Sequence, residues 1–263
     1  MSRTQVIAFA NNKGGSGKTT SCSNIGCALS QMGKRVLIID GDMQLNLTLS
    51  FFDEEKALEY ASNGKNIYTA IKEEKDLSEF VVETSYKGLD VIPSTSLMSA
   101  IEFDLFPKWQ REFILKKCLA PICARGYYDY ILIDSPPTLG GWVMNILCAS
   151  NFVVIPVEAS PWGLFGLANM FDFISKVKEI SPSLSVMGIM VTKADERKKY
   201  FKETLQTLRD SEIARVFENY VKVDSTVEWS QDNSMPVVAY KKYSRSALDY
   251  KKLAKEIVEY ANR

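Results

Sequence analysis

An apolar run at positions 6–10 feeds straight into Asn11-Asn12-Lys13-Gly14-Gly15-Ser16-Gly17-Lys18-Thr19-Thr20, and a helical pattern begins at Lys18. Glycines at 14, 15 and 17 open backbone conformations closed to other residues, so successive N–H groups can curl around one anion. The helix that follows adds the positive end of its dipole. Lys18 and Thr19 stand where such a loop needs a cation for terminal phosphates and a hydroxyl for magnesium. The common pattern Gly-x-x-x-x-Gly-Lys-Ser/Thr would put its first glycine at position 12, which is asparagine here, and this loop carries Lys13 instead. A strand, a glycine-rich turn and a helix in this order point to a nucleotide phosphate cradle built from Gly14, Gly15, Ser16, Gly17, Lys18, Thr19 and Thr20.

The rest of the chain repeats the same rhythm. Further apolar runs lie at 36–40, 89–92, 130–133, 152–157 and 186–191, each without polar alternation, as expected for strands covered on both faces. Helical patterns fall between them, over 18–32, 109–123 and 164–177. Alternating strands and helices joined by right-handed crossovers predict a doubly wound α/β domain with a mostly parallel sheet. No linker-like stretch divides the 263 residues, so one domain is expected, with a polar helical insertion at about 52–87. The closing segment, 245–263, reads as a helix with Leu248, Leu253, Ile257 and Val258 on its packed face.

Composition removes several chemistries. The absence of histidine excludes serine–histidine hydrolases and most zinc hydrolases. Five scattered cysteines without a Cys-x-x-Cys pair suit small core residues in a reducing compartment. Thirty-two basic residues balance 32 acidic ones, so contact with nucleic acid would need a local patch. No apolar run reaches membrane-spanning length, and the expectation is a cytoplasmic protein.

The loop with its early lysine resembles the deviant Walker A motif of the ParA/MinD family of ATPases, and the likeness runs along nearly the whole chain. Asp40-Gly41-Asp42-Met43-Gln44 resembles the family's Asp-x-Asp-Pro-Gln, with Met43 in place of proline. Tyr130-Ile131-Leu132-Ile133-Asp134-Ser135-Pro136-Pro137 resembles its Walker B strand, and Leu139-Gly140-Gly141 with Asn145-Ile146-Leu147, then Gly163 and Gly166-Leu167, continue the match. The resemblance implies ATP and Mg²⁺ as cofactors, and a P-loop fold. It implies catalytic roles for Lys13, Lys18 and Asp42. Lys13 would cross to the nucleotide of a partner subunit in a sandwich homodimer, much as an arginine finger does. Thr19, Asp40 and Asp134 would serve the metal, and Asp42 the attacking water.

Thr192-Lys193-Ala194-Asp195 stands where related folds read the base; threonine in place of the amide weakens a guanine reading, and the resemblance favours adenine, with Pro236 and Val237 nearby. Within the family, a chain of this kind is closest to partitioning ATPases without an N-terminal DNA-binding domain, acting with a ParB-like adaptor. No helix-turn-helix module is expected before the loop, and no amphipathic membrane tail after the last helix. Non-specific DNA contact by the ATP dimer would fall to Lys193, Arg197, Lys198, Lys199, Lys222 and Arg245. The alternative is a positioning ATPase for a pilus, flagellum or secretion apparatus that uses no DNA.

Overall fold

A computed structural model describes residues 4–160, 164 and 166–262, so Gly163 and Arg263 lie outside the described residues. Seven strands form one sheet: β1 (Gln5–Phe9), β2 (Val36–Asp40), β3 (Val82–Glu83), β4 (Leu89–Ile92), β5 (Tyr130–Asp134), β6 (Phe152–Glu158) and β7 (Ser185–Thr192). Their order is β3-β4-β2-β5-β1-β6-β7, and every pair is parallel except β3 with β4. The doubly wound, mostly parallel sheet read from the alternating runs is present. Side chains leave each strand to opposite faces in turn. Val6, Ala8 and Ala10 of the first run therefore join one core cluster, and Ile7 and Phe9 the other.

The helices are α1 (Lys18–Gln31), α2 (Glu54–Ser62), α3 (Ile67–Glu73), α4 (Ile101–Leu105), α5 (Ile114–Arg125), α6 (Gly141–Ala149), α7 (Leu167–Ile180), α8 (Lys199–Asp210), α9 (Thr226–Asp232), α10 (Val237–Tyr240) and α11 (Arg245–Ala261). One face of the sheet is covered by α1, α10 and α11, the other by helices that include α5, α6 and α7. Asp53 and Asn66 cap α2 and α3 through backbone N–H groups three residues on, which fixes where these helices start.

Three details differ from the sequence reading. The segment at 52–87 holds α2 and α3 but also β3, a two-residue edge strand too short to show a period. The helix expected from 109 starts at Ile114, because Gln110 takes a left-handed φ of 50° and interrupts it. On α11 the packed stripe is Ala247, Tyr250, Leu253, Ala254 and Ile257; Leu248 is 43% exposed, since position 248 falls one step around the helix from that stripe.

The sheet order decides where chemistry can occur. β5 lies between β1 and β2, so the carboxyl ends of these three strands meet: Asp134 stands level with Phe9 on one side and Asp40 on the other. Ligands in such sheets bind outside the carboxyl ends, where strand order reverses.

Glu256 shows how α11 is secured. It is 7% exposed, and its carboxylate accepts from Arg215 Nη2 (3.0 Å), Glu218 N (3.0 Å), Asn219 N (2.8 Å) and Asn219 Nδ2 (2.6 Å). Glu256→Ala leaves these donors unmet, and the expected loss is about 3 kcal/mol. Thermal melting should fall by roughly 6–12 °C, whereas Glu259→Ala on the exposed side of the same helix should leave it nearly unchanged.

Candidate nucleotide site

The loop after β1 is held from both ends. Asn11 donates through Nδ2 to Pro156 O (2.7 Å), and its Oδ1 accepts from Lys13 N (3.0 Å). Gly15 and Gly17 take φ of 72° and 88°, the left-handed turns the cradle requires. Thr192, 2% exposed at the end of β7, donates to Ser16 O (2.8 Å) and ties the loop to the far strand. The phosphate loop is thus pinned by β6 and β7 before any ligand arrives.

Around it the expected side chains converge. Lys18 is 6% exposed and its Nζ donates to Lys13 O (3.2 Å). Burial lowers the Lys18 pKa, while the charges of Asp134 and Asp42 act against that shift. Thr19 Oγ1 donates to Asp134 Oδ2 at 2.6 Å. Asp134 is wholly buried, and its Oδ1 has no hydrogen-bond partner. Burial, reinforced by the neighbouring Asp40 charge, pushes its pKa well above the usual carboxylate range. A buried carboxylate oxygen without a donor calls for a cation or an ordered water. Thr19, Asp134 and the phosphate oxygens of a nucleotide fit magnesium, which prefers oxygen ligands and keeps several waters. Among the described residues no three acidic or cysteine side chains are grouped so as to hold a metal ion by themselves.

Asp40 sits differently from its expected place at the metal. Its Oδ1 accepts from Asp42 N (3.1 Å), and its Oδ2 from Thr48 N (2.8 Å) and Thr48 Oγ1 (2.6 Å). Both oxygens accept hydrogen bonds from the chain, so Asp40 shapes the loop that carries Asp42. Burial raises its pKa to about 6 despite those donors. Asp42, 8% exposed, lines the cleft and accepts from Gln44 N (3.1 Å). Between the two aspartates, Gly41 donates to Asp134 O (3.0 Å), and its carbonyl accepts from Trp142 Nε1 (2.8 Å).

These groups open onto a cleft of 780 Å³ lined by Gly14, Gly15, Gly17, Lys18, Thr19, Thr20, Thr192 and Lys193. Its far wall, Val221–Val223 and α9, was not legible as a site. The segment follows β7 as an irregular strand, with Ala194 N donating to Val221 O (2.9 Å) and Val223 N to Ala194 O (3.0 Å). Gln231 on α9 reaches Thr20 Oγ1 (3.3 Å). Pro236 and Val237, expected beside the base, are not part of this wall. Val237 is fully buried, because the 236–238 segment docks on α1, where Val238 N donates to Asn24 Oδ1 (3.1 Å).

Lys13 is not among the residues that line the cleft; its Nζ lies 3.7 Å from Glu158 Oε2 at the end of β6. The expected DNA cluster is broken up. Lys193 and Lys222 line the cleft. Arg197 makes a bidentate pair with Asp195 (2.9 Å twice), which holds that carboxyl down to about 2. Lys199 faces Glu203 (3.3 Å) and Lys222 faces Glu196 (3.7 Å). Lys198 lies over the Tyr200 ring, and Arg245 is exposed at the start of α11.

The AAA domain family matches residues 4–186. The sporulation initiation inhibitor protein Soj of Bacillus subtilis is 32% identical over 254 residues, covering 96% of this chain and 98% of Soj. The chromosome partitioning protein ParA of Caulobacter vibrioides is 30% identical over 255 residues, covering 97% and 94%. The chain belongs to the ParA/MinD family of P-loop ATPases. A solved structure described as cobyrinic acid a,c-diamide synthase from Mycobacterium smegmatis superposes on this ParA-like fold with a TM-score of 0.82 and 27% identity, covering 97% of this chain and 94% of the other; it was obtained with ADP and magnesium and with an ATP analogue and magnesium.

Gly41 offers a direct check of the geometry. A Cβ there would fall 2.6 Å from Asp134 O and 3.3 Å from Trp142 Nε1. Gly41→Ala must push β2 away from β5 at the cleft, at a cost of about 2 kcal/mol, and melting of the nucleotide-free protein should drop by roughly 4–8 °C.

Proposed function

We propose that this protein is a magnesium-dependent ATPase whose ATP-bound form closes a homodimer that drives partitioning of DNA. The observation that carries this reading is the contrast between the two loop lysines. Lys18 is buried at the cleft beside Asp134 and Asp42, whereas Lys13 is outside the cleft lining and pairs with Glu158. A cation outside its own site can complete a neighbour's.

In this reading Gly14, Gly15 and Gly17 present N–H groups to the phosphates, and Lys18 neutralises the terminal ones. Thr19 and Asp134 hold the magnesium shell. Magnesium, when bound, withdraws charge from the transferring phosphoryl group. Asp42 orients the attacking water. Lys13 of the partner subunit leaves Glu158's counterpart and faces charge that builds up in the transition state. Thr192, Lys193 and the wall from Val221 to α9 receive the base and ribose.

The relative named as a chromosome partitioning protein supports a partition role; in this reading a ParB-like adaptor stimulates turnover in the cytoplasm, on the nucleoid. No helix among the described residues is long and apolar enough to cross a membrane. For DNA, the pairing of Arg197, Lys199 and Lys222 with acids leaves another surface as the better candidate. On α11 the acids Asp249 and Glu256 are buried, and Arg245, Lys252 and Lys255 are exposed at helical spacing on one face, with the exposed Glu259 beside the last two, continuing Lys241 and Lys242. None of these five cations forms an ion pair among the described residues. The neutralised surface around 195–203 is what would favour the positioning alternative.

Two experiments test this. Gel filtration should show a dimer with ATP and Asp42→Ala, a monomer with ADP, and loss of the ATP dimer on Lys13→Ala; a dimer that forms equally with ADP and survives Lys13→Ala contradicts the reading. In DNA co-sedimentation with ATP, Arg245→Glu or Lys242→Glu should weaken binding well beyond Lys199→Glu and lower the salt slope by about 1 for each phosphate pairing removed; retention that is equal with ADP and indifferent to salt contradicts it.

A further inference from the structure

Glu102 belongs to none of the nucleotide-site motifs, yet its carboxylate grips the helix that follows the Walker B strand. Oε2 accepts from Gly141 N (3.0 Å) and Oε1 from Trp142 N (3.0 Å), so both oxygens close the first turn of α6. These N–H groups have no partner within the helix, and a negative charge there is favoured. A Cβ at Gly140 would collide with Oε1, and one at Gly141 would lie 2.9 Å from Oε2. With glycine at both positions the carboxylate can approach the backbone this closely.

The clamp connects to the cleft through one side chain. Trp142, 2% exposed, uses its indole N–H to hold Gly41 O at 2.8 Å. Gly41 in turn donates to Asp134 O (3.0 Å), and Asp42 follows it directly. The path runs from Glu102 to the start of α6, to Trp142, to Gly41, and so to both carboxylates assigned to water and metal. Each link is a hydrogen bond or a chain neighbour, and none involves nucleotide.

We infer that Glu102 is a positioning residue for hydrolysis, acting through Trp142 to set Gly41 and thereby the carboxylate of Asp42. The inference rests on the ATPase reading for its kinetic consequence, but the physical linkage is independent of it. α4 is otherwise anchored on its far side, where Tyr68 Oη donates to Asp104 Oδ2 (2.7 Å). Loss of the Glu102 carboxylate therefore frees α6 and Gly41 without unseating α4.

The test is a double-mutant cycle with Glu102→Ala and Trp142→Phe. Each single variant should lower kcat about tenfold while KM for ATP stays within about twofold, and the double variant should be no worse than either single one. Glu102→Gln, which keeps one acceptor oxygen, should recover part of the rate. A wild-type kcat in Glu102→Ala, or additive losses, overturns the inference. Hydrogen exchange on nucleotide-free protein separates this from the ATPase reading itself: the peptide spanning Gly41 should exchange faster in Glu102→Ala than in wild type. Unchanged exchange there refutes the linkage whether or not the protein hydrolyses ATP.

Discussion

A carboxylate buried at the tip of the central strand, with only one of its oxygens satisfied, is the constraint on which the rest of this structure turns. Asp134 gives Oδ2 to Thr19 and leaves Oδ1 without a donor, in a place with no solvent access. Such a group is costly unless a cation, an ordered water or its own proton meets the free oxygen. The sheet order makes the position: β5 between β1 and β2 brings the phosphate loop and the Asp40–Asp42 turn to either side of it. Lys18 supplies the nearest fixed positive charge, and its own burial keeps it from being screened by water.

Division of labour among like residues follows from burial and neighbours. Three aspartates follow or end the strands here, yet Asp40 is tied to Thr48 and the loop backbone, Asp42 borders the cleft, and Asp134 keeps one oxygen without a partner. The two lysines of the loop divide in the same way, one inward and one outward. An outward lysine costs little in an isolated chain, because Glu158 partly compensates it and both groups remain about a third exposed. Its pairing is weak enough to be exchanged for a stronger anion.

Much of this was legible in the sequence because burial on both faces leaves a plain mark. Strands such as β2 and β5 are unbroken apolar runs, and each ends on an aspartate that the sheet then gathers at one edge. The cradle was legible because glycine, lysine and threonine at those spacings have few other uses. The features that were not legible depend on packing between distant segments. β3 is two residues long and antiparallel, below the length at which periodicity speaks. Val237 and its neighbours read as part of the base site, but their apolar side chains fill the core between α1 and α11. The acidic partners that neutralise Arg197, Lys199 and Lys222 are local in sequence, yet their pairing needs the turn after β7 to be built first. Glu102 had no motif around it, and only its hydrogen bonds to the first turn of α6 single it out.

The central claim is that each site is completed by a lysine from another copy of the chain. Mixing Lys13→Ala with Asp42→Ala tests it most directly. Each variant alone should be nearly inactive. In a mixed dimer, the site on the Lys13→Ala subunit keeps its own Asp42 and receives Lys13 from its partner, so the mixture should be clearly more active than the two variants measured separately. A mixture no more active than the two variants measured separately would contradict the account.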